Sequence, residues 1–179
     1  MSLYTKYGDK GYTYTKLSAK TPKNHALVNF LGNLDELNCF LGYLYSQIQS
    51  NPELPVEILK KVMSKCFEIG AFLGYNTDLC FEKMDAFILE IEKSIDFMEG
   101  SNEKLQNFIL PTGTGNSAQA HICRAIARRV ERSMYDLEIH AENEVIIKFL
   151  NRLSDFLFSL ARTINRMEKG QEIIWQAEK

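Results

Sequence analysis

The stretch Leu110–Met134, LPTGTGNSAQAHICRAIARRVERSM, decides the fold that we predict for this chain. Its opening Pro-Thr-Gly-Thr-Gly segment cannot be helical, whereas the residues after it run for about five turns without Gly or Pro, as a helix requires. Placed on a helix at roughly 100° per residue, these residues separate into an apolar side and a charged side. The apolar side, expected to face a core, consists of Ile122, Ile126, Val130 and Met134.

The charged side of this helix carries Arg124, Arg128 and Arg132, which we call the arginine row, with Glu131 beside them. Like charges four residues apart destabilise a helix by about a few tenths of a kcal/mol per pair. The row therefore requires a bound anion or a partner carboxylate, and the planar guanidinium fork suits the oxygens of carboxylates and phosphates. The alternative interpretation is a solvated basic face with a single ion pair to Glu131.

Length and composition favour one domain. The 179 residues are 45% hydrophobic, so we expect a single domain over 1–179 with a full core and with residues 1–24 as an N-terminal loop. The net charge of −2 argues against a dedicated nucleic-acid binder. No apolar run approaches the ~18 residues of a membrane span, and no secretory signal is visible. A cytoplasmic protein that binds neither nucleic acid nor membrane is expected.

The four cysteines show no C-x-x-C spacing, and three of them fall within apolar-patterned helical stretches. We therefore expect reduced core thiols in a cytosolic protein and no protein-ligated metal. The three are Cys39, Cys66 and Cys123, and the fourth is Cys80.

Apolar residues spaced by three and four predict four more helices, separated by Pro, Gly and Asn. Short connections between five helices indicate an all-α fold, a five-helix antiparallel bundle with an N-terminal loop segment. The predicted helices cover 25–48, 58–73, 84–98, the arginine-bearing helix ending around His140 to Asn143, and about 144–170, with 76–80 as a loop.

The last predicted helix also carries polar residues within its apolar run. We expect most of them on a solvated face, but Asn151 and Arg152 border the core positions Leu150 and Leu153 and predict the rim of a pocket. The others are Ser154, Asp155, Arg162, Asn165 and Arg166.

Residues 1–24 have little apolar periodicity, and Gly8-Asp9-Lys10-Gly11 is typical of a turn. One interpretation is a disordered basic arm. The other is a loop whose backbone N–H groups, hydroxyls (Thr5, Thr13) and lysines surround a polyphosphate, although the Walker A pattern is absent. The lysines are Lys6, Lys10, Lys16, Lys20 and Lys23, against the single acid Asp9.

Three blocks of sequence together resemble a known family. The first is Thr5-Lys6-Tyr7-Gly8-Asp9-Lys10-Gly11, followed by Lys23 and by Gly32-Asn33-Leu34-Asp35-Glu36-Leu37-Asn38. The second runs from Leu110-Pro111 to Arg124-x-x-x-Arg128-Arg129-x-Glu131-Arg132, and the third is Phe149-Leu150-Asn151-Arg152-Leu153-Ser154-Asp155. In this order and spacing they are similar to the PduO-type corrinoid (cob(I)alamin) adenosyltransferases. Departures from the family pattern are Lys6, Tyr7, Asn29 and Thr112.

The resemblance implies transfer of the 5′-deoxyadenosyl group of ATP to the cobalt of cob(I)alamin, with release of triphosphate. It implies a homotrimer of five-helix bundles with ATP and corrinoid sites at subunit boundaries. Mg²⁺ is expected as the phosphate-bridging ion, held mostly by substrate and water, so no protein metal ligand is predicted. A flavin reductase or a cobalamin-dependent acceptor enzyme is the expected protein partner.

The resemblance also implies roles for individual residues. Arg132, Arg128 and Asp35 are the catalytic candidates, with Asp35 and Arg128 pairing across a subunit boundary beside the corrinoid pocket. The residues expected to bind ATP are Thr5, Lys6, Tyr7, Gly8, Thr13, Tyr14, Lys23, Arg128, Arg129, Glu131, Arg132 and Asn151.

Two alternatives remain at the level of sequence. One is a paralogue of the same fold that binds corrinoid or nucleotide without turnover. The other is a helical scaffold whose arginine row docks an acidic partner.

Overall fold

The computed structural model describes residues 4–75, 77–137 and 143–177. Five helices form the body of the protein, which confirms the predicted all-α class. They are α1 (Ala26–Ile48), α2 (Val56–Tyr75), α3 (Phe81–Glu99), α4 (Gly115–Met134) and α5 (Glu144–Met167). A small antiparallel hairpin, β1 (Tyr12–Thr15) and β2 (Ser18–Pro22), precedes them.

Helices α4 and α5 run antiparallel against each other. Glu131 near the end of α4 bonds Asn151 near the start of α5, whereas Thr114 just before α4 bonds Asn165 near the end of α5. The bundle therefore has two ends. The hairpin end holds β1, β2 and the end of α4, and the tail end holds the connection 100–114 and the C-terminal tail, residues 168–177.

The core is one continuous cluster to which all five helices contribute. Helix α5 lies at its centre, with Phe149 and Phe156 fully buried. In the part of the chain that the structure describes, no helix has the length and apolar character needed to cross a membrane.

The apolar side of α4 differs from the prediction at Ile122, which is 45% exposed. Residues four apart advance by about 400° on a helix, so a row of such residues drifts around the axis by about 40° per step. The core instead takes Cys123, Ala127, Val130 and Met134, whose spacings of three and four cancel this drift. Ile122 is thereby turned outwards.

Helix α4 also ends earlier than predicted, at Met134 rather than around His140 to Asn143. The backbone N–H of Tyr135 donates to the carbonyl oxygens of Arg132 and Ser133, and that of Leu137 donates to Met134. These shorter bonds tighten the last turn and close the helix. Residues 140–142 of the predicted end lie outside the described residues.

The hairpin corrects the expectation that residues 1–24 form only a loop. Its two strands share a buried hydroxyl pair, Thr15 Oγ1 to Thr21 Oγ1 at 2.7 Å. Lys16 attaches the hairpin to the end of α2, because its backbone N–H donates to the Gly74 oxygen at 2.7 Å and its Nζ to the Phe72 oxygen at 3.0 Å. A cation at a helix C-terminus is favoured, and the ammonium also lies 4.9 Å from the Phe72 ring centroid.

The cysteines follow the prediction in part. Cys66 and Cys123 are buried free thiols, and burial raises the pKa of each to about 12, so both stay protonated. Cys39, expected in the core, is exposed on α1. Its neighbours Leu37, Asn38 and Leu41 take the inward positions.

Candidate functional site

The N-terminal turn, residues 5–11, is closed onto the hairpin by local hydrogen bonds. The Tyr7 backbone N–H donates to Thr5 Oγ1 at 3.4 Å, and the Tyr7 hydroxyl donates to the carbonyl oxygen of Ala19. The Lys23 backbone N–H donates to the Gly11 oxygen at 2.9 Å. The N-terminal turn and Lys23, which lies shortly before α1, therefore form one unit.

Gly8 and Lys23 lie in contact within this unit. A Cβ at Gly8 would sit 3.0 Å from Lys23 Nζ, so the glycine allows the ammonium to lie over the turn. Lys23 makes no ion pair in the described ranges 4–75, 77–137 and 143–177. Thr13 is half-buried and Tyr14 is exposed on the first strand. Of the residues predicted to bind the nucleotide, the structure therefore brings Gly8 and Lys23 into contact.

A second group of predicted residues meets on α4 and α5. Asn151 Nδ2 donates to Glu131 Oε1 at 2.9 Å, which fixes the orientation of the amide. Arg128 and Arg132 are exposed beside this pair, and neither guanidinium makes an ion pair or hydrogen bond with any residue that the structure describes. Glu131 therefore orients Asn151 and forms no ion pair with an arginine among the described residues.

Arg129 and Asp35 are placed differently. Arg129 forms an ion pair with Glu36 of α1, and because both side chains are more than 40% exposed the pair contributes little stability. Asp35, one residue before Glu36, is exposed and makes no ion pair with a described residue of its own chain. The structure therefore does not bring Asp35 and Arg128 together within one chain.

Arg124 is separated from the rest of the arginine row by burial. Its Nε is buried without a hydrogen-bond partner, and its guanidinium carbon lies 5.9 Å from the Phe158 ring centroid. Burial, and secondarily the positive charge of Arg128, lower the pKa of Arg124. The row thus divides into a half-buried member that faces an aromatic ring and two solvent-facing members.

A cavity of about 530 Å³ opens at the hairpin end, but its lining includes neither the N-terminal turn nor Arg128 and Arg132. Lys16 and Leu17 of the hairpin line it on one side, and Asp136, just beyond α4, lines it on another. No hydrogen bond or ion pair within the described residues joins the N-terminal turn to Arg128 or Arg132. The two groups lie at one end of the bundle without forming a closed site in a single chain.

The tail end contains features that the sequence did not predict as buried. Arg162 and Asn165 are 3% and 2% exposed, although a solvated face was expected. Asn165 Oδ1 accepts from the Thr114 backbone N–H at 3.0 Å and so fixes the start of α4. Gly113 has φ +117°, and a Cβ there would lie 2.3 Å from that same Oδ1, so glycine is required at this position.

A cavity of about 660 Å³ opens at the tail end beside Arg162 and the C-terminal tail. Amide side chains line much of it, and exposed aromatic residues lie nearby. Phe108 is 80% exposed and Trp175 is 51% exposed. The lining amides are Asn102, Gln106, Asn107, Asn165 and Gln171.

His121 is buried between the two ends. It is 5% exposed, its Nδ1 has no hydrogen-bond partner, and its ring lies 5.9 Å from that of Phe158. Burial first, and then the charge of Arg124, lower the pKa of His121 to about 4, with Glu172 opposing the shift. The imidazole is therefore neutral at physiological pH.

We expect His121 to make the stability of the fold depend on pH. Its pKa falls from 6.5 to about 4 on folding, so the unfolded chain takes up the proton first as the pH falls. The stabilisation is complete above pH 6.5 and is lost towards pH 4, by about 3 kcal/mol. Urea unfolding across this range should show a steeper loss for the wild type than for His121→Gln. Equal slopes would contradict this assignment.

Five helices, two exposed arginines that pair with no described residue and a glycine turn in contact with an exposed lysine define a helical-bundle protein with exposed cationic groups. The family model described as cobalamin adenosyltransferase matches residues 3–164. The chain therefore belongs to the cobalamin adenosyltransferase family.

Similar proteins and structures agree with this membership. The mouse corrinoid adenosyltransferase MMAB is 34% identical over 97% of this chain and 77% of its own length. A cobalamin adenosyltransferase of Cupriavidus metallidurans is 33% identical over 98% of this chain and 94% of its own length. The structure of a variant PduO-type ATP:corrinoid adenosyltransferase from Lactobacillus reuteri, complexed with cobalamin and ATP, has a TM-score of 0.87 and 30% identity, covering 99% of this chain and 98% of that one.

Proposed function

We propose that this protein transfers the 5′-deoxyadenosyl group of ATP to the cobalt of cob(I)alamin and releases triphosphate. The observation that carries the proposal is the pair of exposed guanidiniums of Arg128 and Arg132, which pair with no described residue, beside the Glu131-oriented amide of Asn151. Family membership supplies the substrate class. The enzyme is accordingly an ATP:corrinoid adenosyltransferase built as a single domain.

The reaction requires little acid–base catalysis by the protein. The electron pair of Co(I) forms a bond to the ribose C5′, and the C5′–O bond breaks with its electron pair leaving on triphosphate. The chain must hold the phosphates, align C5′ and exclude water. Arg128, Arg132 and Lys23 supply the cations, and Asn151 and the backbone of the N-terminal turn supply further donors.

Magnesium fits this site as a partner of the nucleotide. Among the described residues no group of three or more His, Cys, Asp or Glu side chains could hold a metal ion. We therefore assign Mg²⁺ to the phosphate oxygens and water, which suits its slow dehydration. When bound, it would neutralise phosphate charge.

The corrinoid is assigned to the cavity at the tail end. A corrin ring is a large apolar surface with carboxamides around its edge. The cavity offers matching amides, with the exposed Phe108 and Trp175 beside it. Arg124 and Phe158 lie between this cavity and Arg132, and two helical turns span only about 11 Å.

We also propose a homotrimer with its sites at the subunit boundaries. Tyr43 of α1 and Ile122 of α4 are about half exposed, and we assign them to the contact with a second copy. Asp35, which is exposed on α1, would pair with Arg128 of a neighbouring copy. A cytoplasmic location fits the reduced thiols, and a flavin reductase that supplies cob(I)alamin is the expected partner.

Asp35→Ala is expected to weaken the trimer or corrinoid use more than Glu36→Ala. Removing one member of a buried pair leaves an uncompensated charge and costs about 3–5 kcal/mol, whereas the exposed Glu36–Arg129 pair contributes at most about 1 kcal/mol. Sedimentation velocity and corrinoid titration of both variants measure the difference. Equal behaviour of the two variants, or a fully active monomer, would exclude the Asp35–Arg128 contact.

An anaerobic assay with ATP, Mg²⁺ and chemically reduced cobalamin, followed by absorbance, tests the activity. We expect adenosylcobalamin to form. Thermal stabilisation by ATP without adenosylcobalamin would identify a non-catalytic paralogue. Absence of both would favour the scaffold alternative.

A further inference from the structure

The C-terminal tail lies across the tail end of the bundle without forming a helix. The Leu110 backbone N–H donates to the Ile173 oxygen, and the Trp175 N–H donates to the Phe108 oxygen, both at 2.8 Å. The side chains of Ile173, Ile174 and Trp175 are each about half exposed. Burial of apolar side chains therefore contributes little to the stability of the attached tail, and a polar contact must supply the remaining stability.

That contact is the buried guanidinium of Arg162. Its Nε donates to Glu172 Oε1 at 2.7 Å and its Nη2 to Glu172 Oε2 at 3.4 Å, a two-pronged contact with the tail. Its Nη1 donates to Glu99 Oε2 at 3.0 Å, and its Nη2 to the Glu103 backbone oxygen at 2.7 Å. One side chain of α5 thereby connects the tail, the end of α3 and the segment after α3.

The position of Arg162 is itself fixed. Ser159 Oγ donates to Glu99 Oε1 at 2.8 Å, and Asn102 Nδ2 donates to the same oxygen at 3.1 Å. Thr163 Oγ1 lies 3.2 Å from Asn102 Nδ2. A network whose members all have partners is rigid and orients each of its groups. The guanidinium therefore has one available direction, towards Glu172.

We propose that Arg162 is a positioning residue that holds the tail, through Glu172, as one wall of the corrinoid cavity. Arg162, Glu172 and Ile174 all line the 660 Å³ cavity, so release of the tail would remove that wall while leaving the arginine row at the other end intact. The proposal rests on the assignment of the corrinoid to this cavity. It predicts separate effects on the two substrates.

Glu172→Gln keeps the size of the side chain but removes its charge, and Arg162 keeps Glu99 as a partner. Loss of one charged hydrogen-bonding partner should raise the KM for cob(I)alamin by about tenfold. The KM for ATP should change by less than about twofold, because the phosphate ligands lie two or more helical turns away. Trp175, the only tryptophan of the sequence, should become more accessible to acrylamide quenching.

Glu168→Gln is the matched control. It removes one negative charge from the same tail, but Glu168 does not line the cavity and its side chain accepts, among the described residues, only from Asn116 Nδ2, so both KM values should stay near wild type. A purely structural role for Arg162 would instead change both KM values together or lower the melting temperature alone. Unchanged KM for cob(I)alamin and unchanged Trp175 quenching in Glu172→Gln would overturn the proposal.

Failure of the proposed function gives a different result. Hydroxocobalamin absorbs light and should quench Trp175 on binding, so its affinity can be measured without turnover. A wild type that binds hydroxocobalamin but forms no adenosylcobalamin would refute the activity, while loss of affinity in Glu172→Gln alone would still support the role of Arg162. A wild type that does not bind it would refute both.

Discussion

Arg132→Ala should lower the rate of adenosyl transfer by about 10²–10³-fold in single turnovers at saturating ATP, because a preorganised cationic donor to the leaving triphosphate is lost. Arg132 is exposed near the end of α4 and makes no ion pair with a described residue, so its donors are available. Arg132→Lys should restore only part of the rate, since an ammonium cannot reproduce the bidentate fork.

Arg124→Lys is the control for this experiment. Arg124 belongs to the same row but is half-buried over Phe158, two helical turns before Arg132, so we expect a milder effect and little change in the KM for ATP. If Arg132→Ala kept more than about a tenth of the rate, where a hundredth or less is expected, the triphosphate role would belong to another residue. Lys23, which lies over the Gly8 turn, would be the next candidate.

Deletion of residues 1–11 should abolish measurable ATP binding while leaving the five helices folded. The deleted turn contributes the backbone donors around Lys23, whereas the bundle core contains none of the described residues before Leu27. The hairpin should stay attached, because Lys16 bonds to Phe72 and Gly74. Isothermal titration with ATP measures the loss, and the far-ultraviolet circular dichroism spectrum checks the fold.

Lys23→Ala in the full-length chain separates two explanations of this result. If the turn acts by holding the ammonium over Gly8, the point variant should lose about tenfold in ATP affinity, and the deletion should lose more. Retention of wild-type ATP affinity after the deletion would rule out a nucleotide role for the N-terminal turn.

The helices were predictable because each has a long apolar periodicity, which depends only on residues close in sequence. The residues at which the helices end, and the side of the helix on which each residue lies, were less predictable. Ile122 fits a simple four-residue repeat, yet the drift of that repeat turns it outwards. The prediction that Cys39 lies in the core was wrong for a related reason, since Cys39 lies among apolar residues but beside the inward-facing positions of the helix.

The buried polar contacts could not be predicted, because the residues that form them are distant from each other in sequence. Nothing near Arg162 indicates that Glu99 and Glu172 will surround it, and Asn165 is buried only because it bonds the start of α4. The family pattern predicts the candidate site residue by residue. The bond between Glu131 and Asn151 and the attachment of the hairpin by Lys16 became visible only in three dimensions.

The arginine row also has a thermodynamic consequence. Burial and, secondarily, repulsion from Arg128 lower the pKa of Arg124, and the repulsion makes the protein without an anion less stable than one whose guanidiniums have an anion. Any polyanion that binds only the folded state raises the free energy of unfolding in proportion to the logarithm of its concentration. Triphosphate, the product, would satisfy the same guanidiniums as the phosphates of ATP. We therefore expect its departure, rather than the making of the cobalt–carbon bond, to limit repeated turnover.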